Sequence, residues 1–224
     1  MTYPMVCEAV FLRRPNRFIA EVSLAGETIA VHVKNTGRCR ELLLPGTRVV
    51  LAKADAPGRR TDYDLIGVYK NNERLFNIDS QAPNRAAAEW LEKQEFSLLR
   101  REYPFGRSRF DFYMERGDVR WLLEVKGCTL EREGVGYFPD APTERGVKHL
   151  RELTAAAGEG WRCCLAFVIQ TEGVTEVRPN VETHPAFGEA MAEAQRAGVR
   201  VLCLPCRVRP DSLEIIGRAE NRIV

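Results

Sequence analysis

The chain predicts a small all-β barrel followed by an α/β layer with a mixed sheet. Short apolar runs recur between turn residues from Val6 to Ile78. The pattern changes at Gln81-Ala82-Pro83-Asn84. Helical and strand periodicities then alternate to the end. A length of 224 residues suits a small domain plus a medium one. The predicted break lies near residue 82, giving domains 1–82 and 83–224.

In the first part, strands are expected at Val6–Leu12, Phe18–Leu24, Glu27–Val33, Arg48–Ala54, Tyr63–Tyr69 and Arg74–Ile78. Arg14-Pro15-Asn16, Ala25-Gly26, Leu44-Pro45-Gly46 and Ala56-Pro57-Gly58 punctuate them as turns. Many short strands at this spacing suggest a small barrel or a sandwich, and an OB-type barrel fits the length. In the second part, Ala88, Trp90, Leu91 and Phe96 give Arg85–Glu95 a helical stripe, with Asn84 as N-cap. Strands follow at Ser108–Met114 and Val119–Val125, then a helix at Thr143–Ala157 capped by Thr143. A strand at Arg162–Gln170, a helix at Pro185–Ala197 and a strand at Arg200–Leu204 come next. Leu213–Ile216 is expected to add an edge strand.

Apolar content of 45% and charged content of 29% are ordinary for a globular protein. The formal charge is only +2, so any nucleic-acid partner must be met by a local patch among 33 basic residues. The start, Met1-Thr2-Tyr3-Pro4-Met5, lacks a basic region followed by an apolar run, and no stretch reaches membrane-span length. With seven cysteines and no such signal, the expected compartment is the cytoplasm, with reduced thiols.

The sharpest chemical feature is Trp121-Leu122-Leu123-Glu124-Val125-Lys126. On a strand, Glu124 and Lys126 share one face and Val125 takes the other. The apolar run before them implies a central strand buried on both faces. Asp111 lies thirteen residues before Glu124, between Phe110 and Phe112. Two carboxylates and a lysine at this spacing suit metal-dependent phosphodiester hydrolysis, with Asp111 and Glu124 as ligands of Mg2+ (or Mn2+). The Val125 carbonyl is a candidate further ligand, and Lys126 would hold water or neutralise charge. The competing readings are a salt bridge from Asp111 to Arg107 or Arg109, and an exposed Glu124–Lys126 pair. Glu89, on the first helix, is either a fourth acid near the metal or an exposed helical glutamate.

Arg145, Lys148 and His149 follow the Thr143 cap and are expected to meet phosphates; a solvated helix face is the alternative. Lys34, Arg38 and Arg40, in Lys34-Asn35-Thr36-Gly37-Arg38-Cys39-Arg40-Glu41, suit backbone contacts to nucleic acid or an exposed turn. Gln170, closing an apolar strand, is expected to line the cleft or simply end the strand. Pro139-Asp140 mimics a nuclease Pro-Asp, but it falls after Glu-x-Lys and so cannot play the upstream role. Cys203-Leu204-Pro205-Cys206 lacks a second pair for zinc and is read as structural. His32, His149 and His184 lack metal-ligand spacing.

Arg109-Phe110-Asp111-Phe112, Leu123-Glu124-Val125-Lys126-Gly127-Cys128-Thr129-Leu130 and the run Phe138 to Leu150 closely resemble the sugar fermentation stimulation protein A (SfsA) family. Val33–Arg38 and Ala82–Arg85 resemble it too. The resemblance implies an N-terminal OB-like domain and a C-terminal restriction-endonuclease-like domain of the PD-(D/E)xK superfamily. It also implies DNA binding and magnesium-dependent cleavage. By position, Asp111, Glu124 and Lys126 match the superfamily's active-site pattern, and Glu89 matches its helical acid less securely. Phe110 replaces the motif's proline, which ligates no metal. The family name suggests a regulatory role in sugar metabolism. A non-catalytic DNA-binding regulator on the same fold is therefore the alternative.

Overall fold

The computed structural model describes residues 1–35, 37–54 and 58–220. Thr36 of the basic loop and Ala56-Pro57 of the expected turn lie outside them. Strands β1 (Val6–Asn16), β2 (Ile19–Leu24), β3 (Glu27–Val33), β4 (Arg48–Lys53), β5 (Tyr63–Lys70) and β6 (Arg74–Asn77) form the first sheet. Its order is β3-β2-β1-β4-β5-β6. The sheet closes where edge strand β3 runs parallel to β5, at His32 opposite Asp64 and Val33 opposite Leu65. That pairing makes an OB-like barrel and leaves β6 outside the closure, paired to β5. Phe11, Val22, Val31, Leu51, Leu65 and Phe76 fill it.

The second part begins with helix α1 (Ala82–Glu92), then β7 (Leu98–Phe105), β8 (Ser108–Arg116), β9 (Val119–Cys128), β10 (Leu130–Arg132) and β11 (Val135–Phe138). Helix α2 (Glu144–Gly158), β12 (Arg162–Ile169), β13 (Val177–Pro179) and α3 (Pro185–Arg196) come next. The last elements are β14 (Arg200–Arg209), β15 (Ser212–Ile215) and β16 (Ala219–Glu220). The large sheet is ordered β15-β14-β12-β9-β8-β7, with β16 also on β14. β12 is parallel to both β9 and β14, whereas β8 is antiparallel to β9. The sheet is therefore mixed, and its arrangement is restriction-endonuclease-like. Helix α1 covers one face over Leu123, Val125 and Ala166, while α2 and α3 cover the other over Leu122, Leu165 and Phe167.

Three expectations are corrected. Helix α1 starts at Ala82 with Pro83 in its first turn, so Asn84 is an internal helical residue and not the N-cap. Strand β7 was not expected, because charges and Pro104 interrupt its pattern. Those are the features of an edge strand, which is where β7 lies. A small sheet, β10-β11-β13, lies in two stretches where no strand was expected.

The barrel and the large sheet share a core. Val50, Ala52 and Ile66 pack in one apolar cluster with Ala86, Ala87, Val125 and Leu204. At the seam Gln170 is 2% exposed, and its Nε2 donates to Asn77 O at 3.0 Å, Asn77 Oδ1 at 3.1 Å and Asp79 O at 3.1 Å. Lys70 Nζ pairs with Glu131 Oε2 across the same seam at 2.7 Å.

Candidate active site

Strand β9 lies between β8 and β12, which explains its apolar run: Leu122 and Leu123 are buried on opposite faces. Glu124 and Lys126 share the face of Leu122, towards α2. The β8–β9 ladder ends at Phe112 opposite Leu123, and Asp111 fills the gap beyond. Its Oδ2 accepts the Val125 N–H at 2.7 Å, and its Oδ1 accepts Asn84 Nδ2 at 2.7 Å. Asp111 also marks a twist in β8, since Phe110 packs towards α2 and Phe112 towards α1 although they are two residues apart. Glu102, which falls opposite Asp111 in the β7–β8 register, has a left-handed backbone with φ of 54°. An aspartate ill-suited to a regular strand thus occupies an irregular point of one.

Glu124 is only 3% exposed. Its Oε1 accepts Lys126 Nζ at 2.5 Å and also bonds His149 Nδ1. Its Oε2 is buried and has no hydrogen-bond partner among the described residues. Burial pushes the Glu124 carboxyl up, but the His149 hydrogen bond and Lys126 outweigh it and hold the group below its ordinary value. Asp111 goes the other way: burial first, then the charge of Glu124, raises it above the ordinary carboxylate range. The Val125 N–H, Lys126 and Asn84 offset only part of that rise. Two neighbouring carboxyls with opposite shifts are a recurrent mark of functional sites.

The donor set fits a hard divalent cation. Glu124 Oε2 is an orphaned buried acceptor, and Asp111 is a desolvated acid whose charge a cation would compensate. In a strand a residue's N–H and C=O point the same way, so the Val125 carbonyl faces the gap beside Asp111. Among the described residues, no group of three or more His, Cys, Asp or Glu side chains converges as a metal cage. Magnesium needs no such cage, since one or two carboxylates and water suffice.

Glu89 stands apart from this cluster. It lies about 140° around α1 from Asn84, and its Oε2 pairs with the Met1 amino group at 2.5 Å. His149 belongs to the cluster instead. It is 4% exposed, so it meets Glu124 and not a phosphate in solvent. Its place in the apolar stripe Gly146, Leu150, Leu153 and Ala156 of α2 is the sequence signal for that burial. Arg145 Nε reaches His149 Nε2 at 3.5 Å, which leaves the Nδ1 proton for Glu124.

Arg145 and Lys148 are exposed on α2 and line a cleft of about 900 Å³ with Arg107, Arg109 and Arg151. The Thr143 side chain caps this helix by accepting Gly146 N at 3.1 Å. Arg38 and Arg40 are exposed on the barrel and line a second cleft, of about 520 Å³, with Arg14, Arg17 and Ala141. Lys34 does not join them. Its ammonium pairs with the buried carboxylate of Asp79 at 3.2 Å. Arg14 is the organiser of this loop, donating to the carbonyls of Arg17, Asn35, Gly37 and Arg38 at 2.6, 2.8, 2.9 and 2.9 Å. Cys203 and Cys206 are free and buried, and burial pushes their thiols up to about 11 and about 12, far from redox-active thiols.

Comparisons with known proteins agree with this architecture. Residues 12–78 match the model of the SfsA N-terminal OB domain, and residues 81–212 that of the sugar fermentation stimulation protein RE domain. A sugar fermentation stimulation protein homolog of Desulfitobacterium hafniense (strain Y51) is 54% identical over 217 residues, 96% of this chain and 95% of its own. One from Ruminiclostridium cellulolyticum is 44% identical over 227 residues, 100% of both chains. The solved structure of Pyrococcus furiosus SfsA in complex with Ca2+ is similar with a TM-score of 0.84 and 27% identity, spanning 100% of this chain and 98% of its own. By sequence and by fold, the chain belongs to the sugar fermentation stimulation protein (SfsA) family.

Proposed function

We propose that this protein is a divalent-metal-dependent nuclease acting on DNA in the cytoplasm. In this reading the barrel, up to about residue 82, grips the strand, and residues 83–224 hydrolyse it. The observation that carries the reading is the pairing of a half-buried Asp111 on β8 and a buried, oppositely shifted Glu124 on β9 with Lys126 on the same face of β9. The Ca2+ complex of the Pyrococcus furiosus relative supports a cation site in this fold.

Asp111 and Glu124 would hold the cation, Mg2+ or Mn2+, with the Val125 carbonyl beside them. Such an ion supplies Lewis acidity to a phosphoryl oxygen and lowers the pKa of water. Asn84 fixes Asp111, and His149 fixes Glu124 with Oε2 left open. Lys126 places its positive charge on the same face, where it orients the attacking water or neutralises charge in the transition state. Arg145 and Lys148 on one side, with Arg38 and Arg40 on the other, hold phosphates and carry no sequence information themselves.

A second reading, a DNA-binding regulator without turnover, is favoured by one observation: Lys126 Nζ is closed on Glu124 Oε1 at 2.5 Å. Labelled single- and double-stranded DNA and RNA, incubated with Mg2+ or Mn2+, separate the two. Cleavage by wild type that is lost in Lys126→Ala and Asp111→Asn is the expected result. DNA binding without product in either metal would favour the regulator, and undiminished cleavage by folded Asp111→Asn would overturn the assigned site.

A further inference from the structure

A third cleft, of about 290 Å³, opens at the seam between barrel and large sheet. Asn35 and Ser80 line it from the barrel side, and Gly127, Tyr137, Asp140 and Gln170 from the sheet. It starts one residue beyond Lys126. Its polar groups differ in kind from those of the two arginine-lined clefts.

Gln170 is the informative residue. Its amide nitrogen faces the acceptors Asn77 O, Asn77 Oδ1 and Asp79 O, which sets the orientation of the carboxamide. Its Oε1 accepts no hydrogen bond from the described residues, and the residue as a whole is 2% exposed. A Cβ on Gly127 would sit 2.3 Å from that oxygen and 2.8 Å from Pro83 Cγ, so only glycine lets the carboxamide pack this closely against β9 at the cleft. Asp140 leans over the cleft mouth towards the barrel; a Cβ on Gly37 would meet its Oδ2 at 2.5 Å. The cleft thus offers a carbonyl oxygen and a carboxylate. The carboxylate repels phosphate, and both groups accept hydrogen-bond donors, beside the hydroxyls of Ser80, Thr129 and Thr143. Tyr137 is half-buried in the wall and provides a flat apolar surface.

Resting on the nuclease reading above, we infer that this cleft takes one unstacked nucleobase of the bound strand and selects bases bearing an exocyclic amino group. Gln170 Oε1 accepts that amine, and Asp140 presents a second acceptor. Adenine, cytosine and guanine carry an amine with two N–H donors, whereas thymine has a single N3–H between two carbonyl oxygens and cannot satisfy both acceptors.

The test is binding of the full chain, in EDTA, to short fluorescent thymidine oligonucleotides carrying one central adenine, cytosine, guanine or abasic site. The wild type is expected to bind each amine-bearing probe about fivefold tighter than both the abasic probe and the all-thymidine strand, the worth of one net hydrogen bond. Asp140→Asn, at an exposed position, replaces the charged acceptor with a weaker neutral one and should reduce the preference. A 2-aminopurine at the central position should brighten on binding to wild type as it leaves the stack. Equal affinities in wild type, no binding of any probe, or a preference undiminished in Asp140→Asn would each overturn the inference. Flat binding with intact Mg2+-dependent cleavage would remove the base pocket alone. Base-dependent binding with no cleavage would instead remove the nuclease reading.

Discussion

The carboxylate of Asp111 accepts the main-chain N–H of Val125 at 2.7 Å, taking the place that a neighbouring strand would fill. The side chain therefore serves the sheet and the candidate metal site at once. Burial and the charge of Glu124 raise this carboxyl, so its ionised form is disfavoured where the candidate metal site would need it.

From that raised carboxyl comes the first prediction. The folded chain favours the neutral acid at Asp111, so this group's contribution to stability is present at low pH and lost as pH rises through the raised value. At neutral pH, Asp111→Asn should raise the melting temperature of the metal-free protein. One asparagine oxygen can still accept Val125, and the amide can turn its N–H groups to a flipped Asn84. A gain of about 1 kcal/mol would appear as about 2–4 °C in a chain of this size. Calorimetry in EDTA checks it, and a lowered midpoint would refute it.

Glu124 has the opposite sign. Burial pushes it up, but His149 and Lys126 keep it below its ordinary 4.5, so its contribution is present above that value and lost as pH falls towards the depressed one. His149→Ala removes a charge-assisted hydrogen bond from a buried carboxylate and should cost about 2–4 kcal/mol at neutral pH. The acid-unfolding midpoint should also move to higher pH. Urea titrations at a series of pH values read both, and an unchanged acid midpoint would break the link between the two residues.

Cation binding should stabilise only a chain with both carboxylates. Mg2+ or Mn2+ should raise the melting temperature of wild type, in proportion to the logarithm of its excess over Kd. Asp111→Asn and Glu124→Gln should lose that response, whereas Glu89→Gln should keep it, since Glu89 pairs with the Met1 amino group. Thermal-shift scans with chelator controls decide this. A response retained by Glu124→Gln would place the cation elsewhere.

The arginines of the barrel should divide by role. Arg38→Ala and Arg40→Ala remove exposed charges and should lower the salt dependence of DNA binding by about 0.7–0.9 in log–log slope per contact, leaving stability alone. Arg14→Ala should instead lower the melting temperature, because its guanidinium gathers four loop carbonyls. Anisotropy titrations at several salt concentrations, beside melting curves, test the division.

The barrel was legible because its strands alternate between turn residues, and the core of the site because Glu124 and Lys126 end a run too apolar for an edge. What escaped depends on distance in sequence. Strand β7 carries charges and a proline because it is an edge, so its pattern is weak. His149 meets Glu124 only through the packing of α2 on the sheet; its place in an apolar stripe signals burial but names no partner. Glu89 was legible as a helical acid, yet helix phase turned it away from Asp111. Lys34 reads as a loop cation, and only the closed barrel brings Asp79 beneath it.

The apolar cluster that joins Ile66 of the barrel to Leu204 of the large sheet fixes the distance between the two arginine-lined clefts. On the proposed DNA-binding reading, a strand spanning both clefts would have to adapt its own curvature to that distance. Bending stiffness would then be part of substrate choice. A single strand or a flexible pyrimidine–purine step conforms at lower cost than a stiff duplex, even where no side chain reads a base.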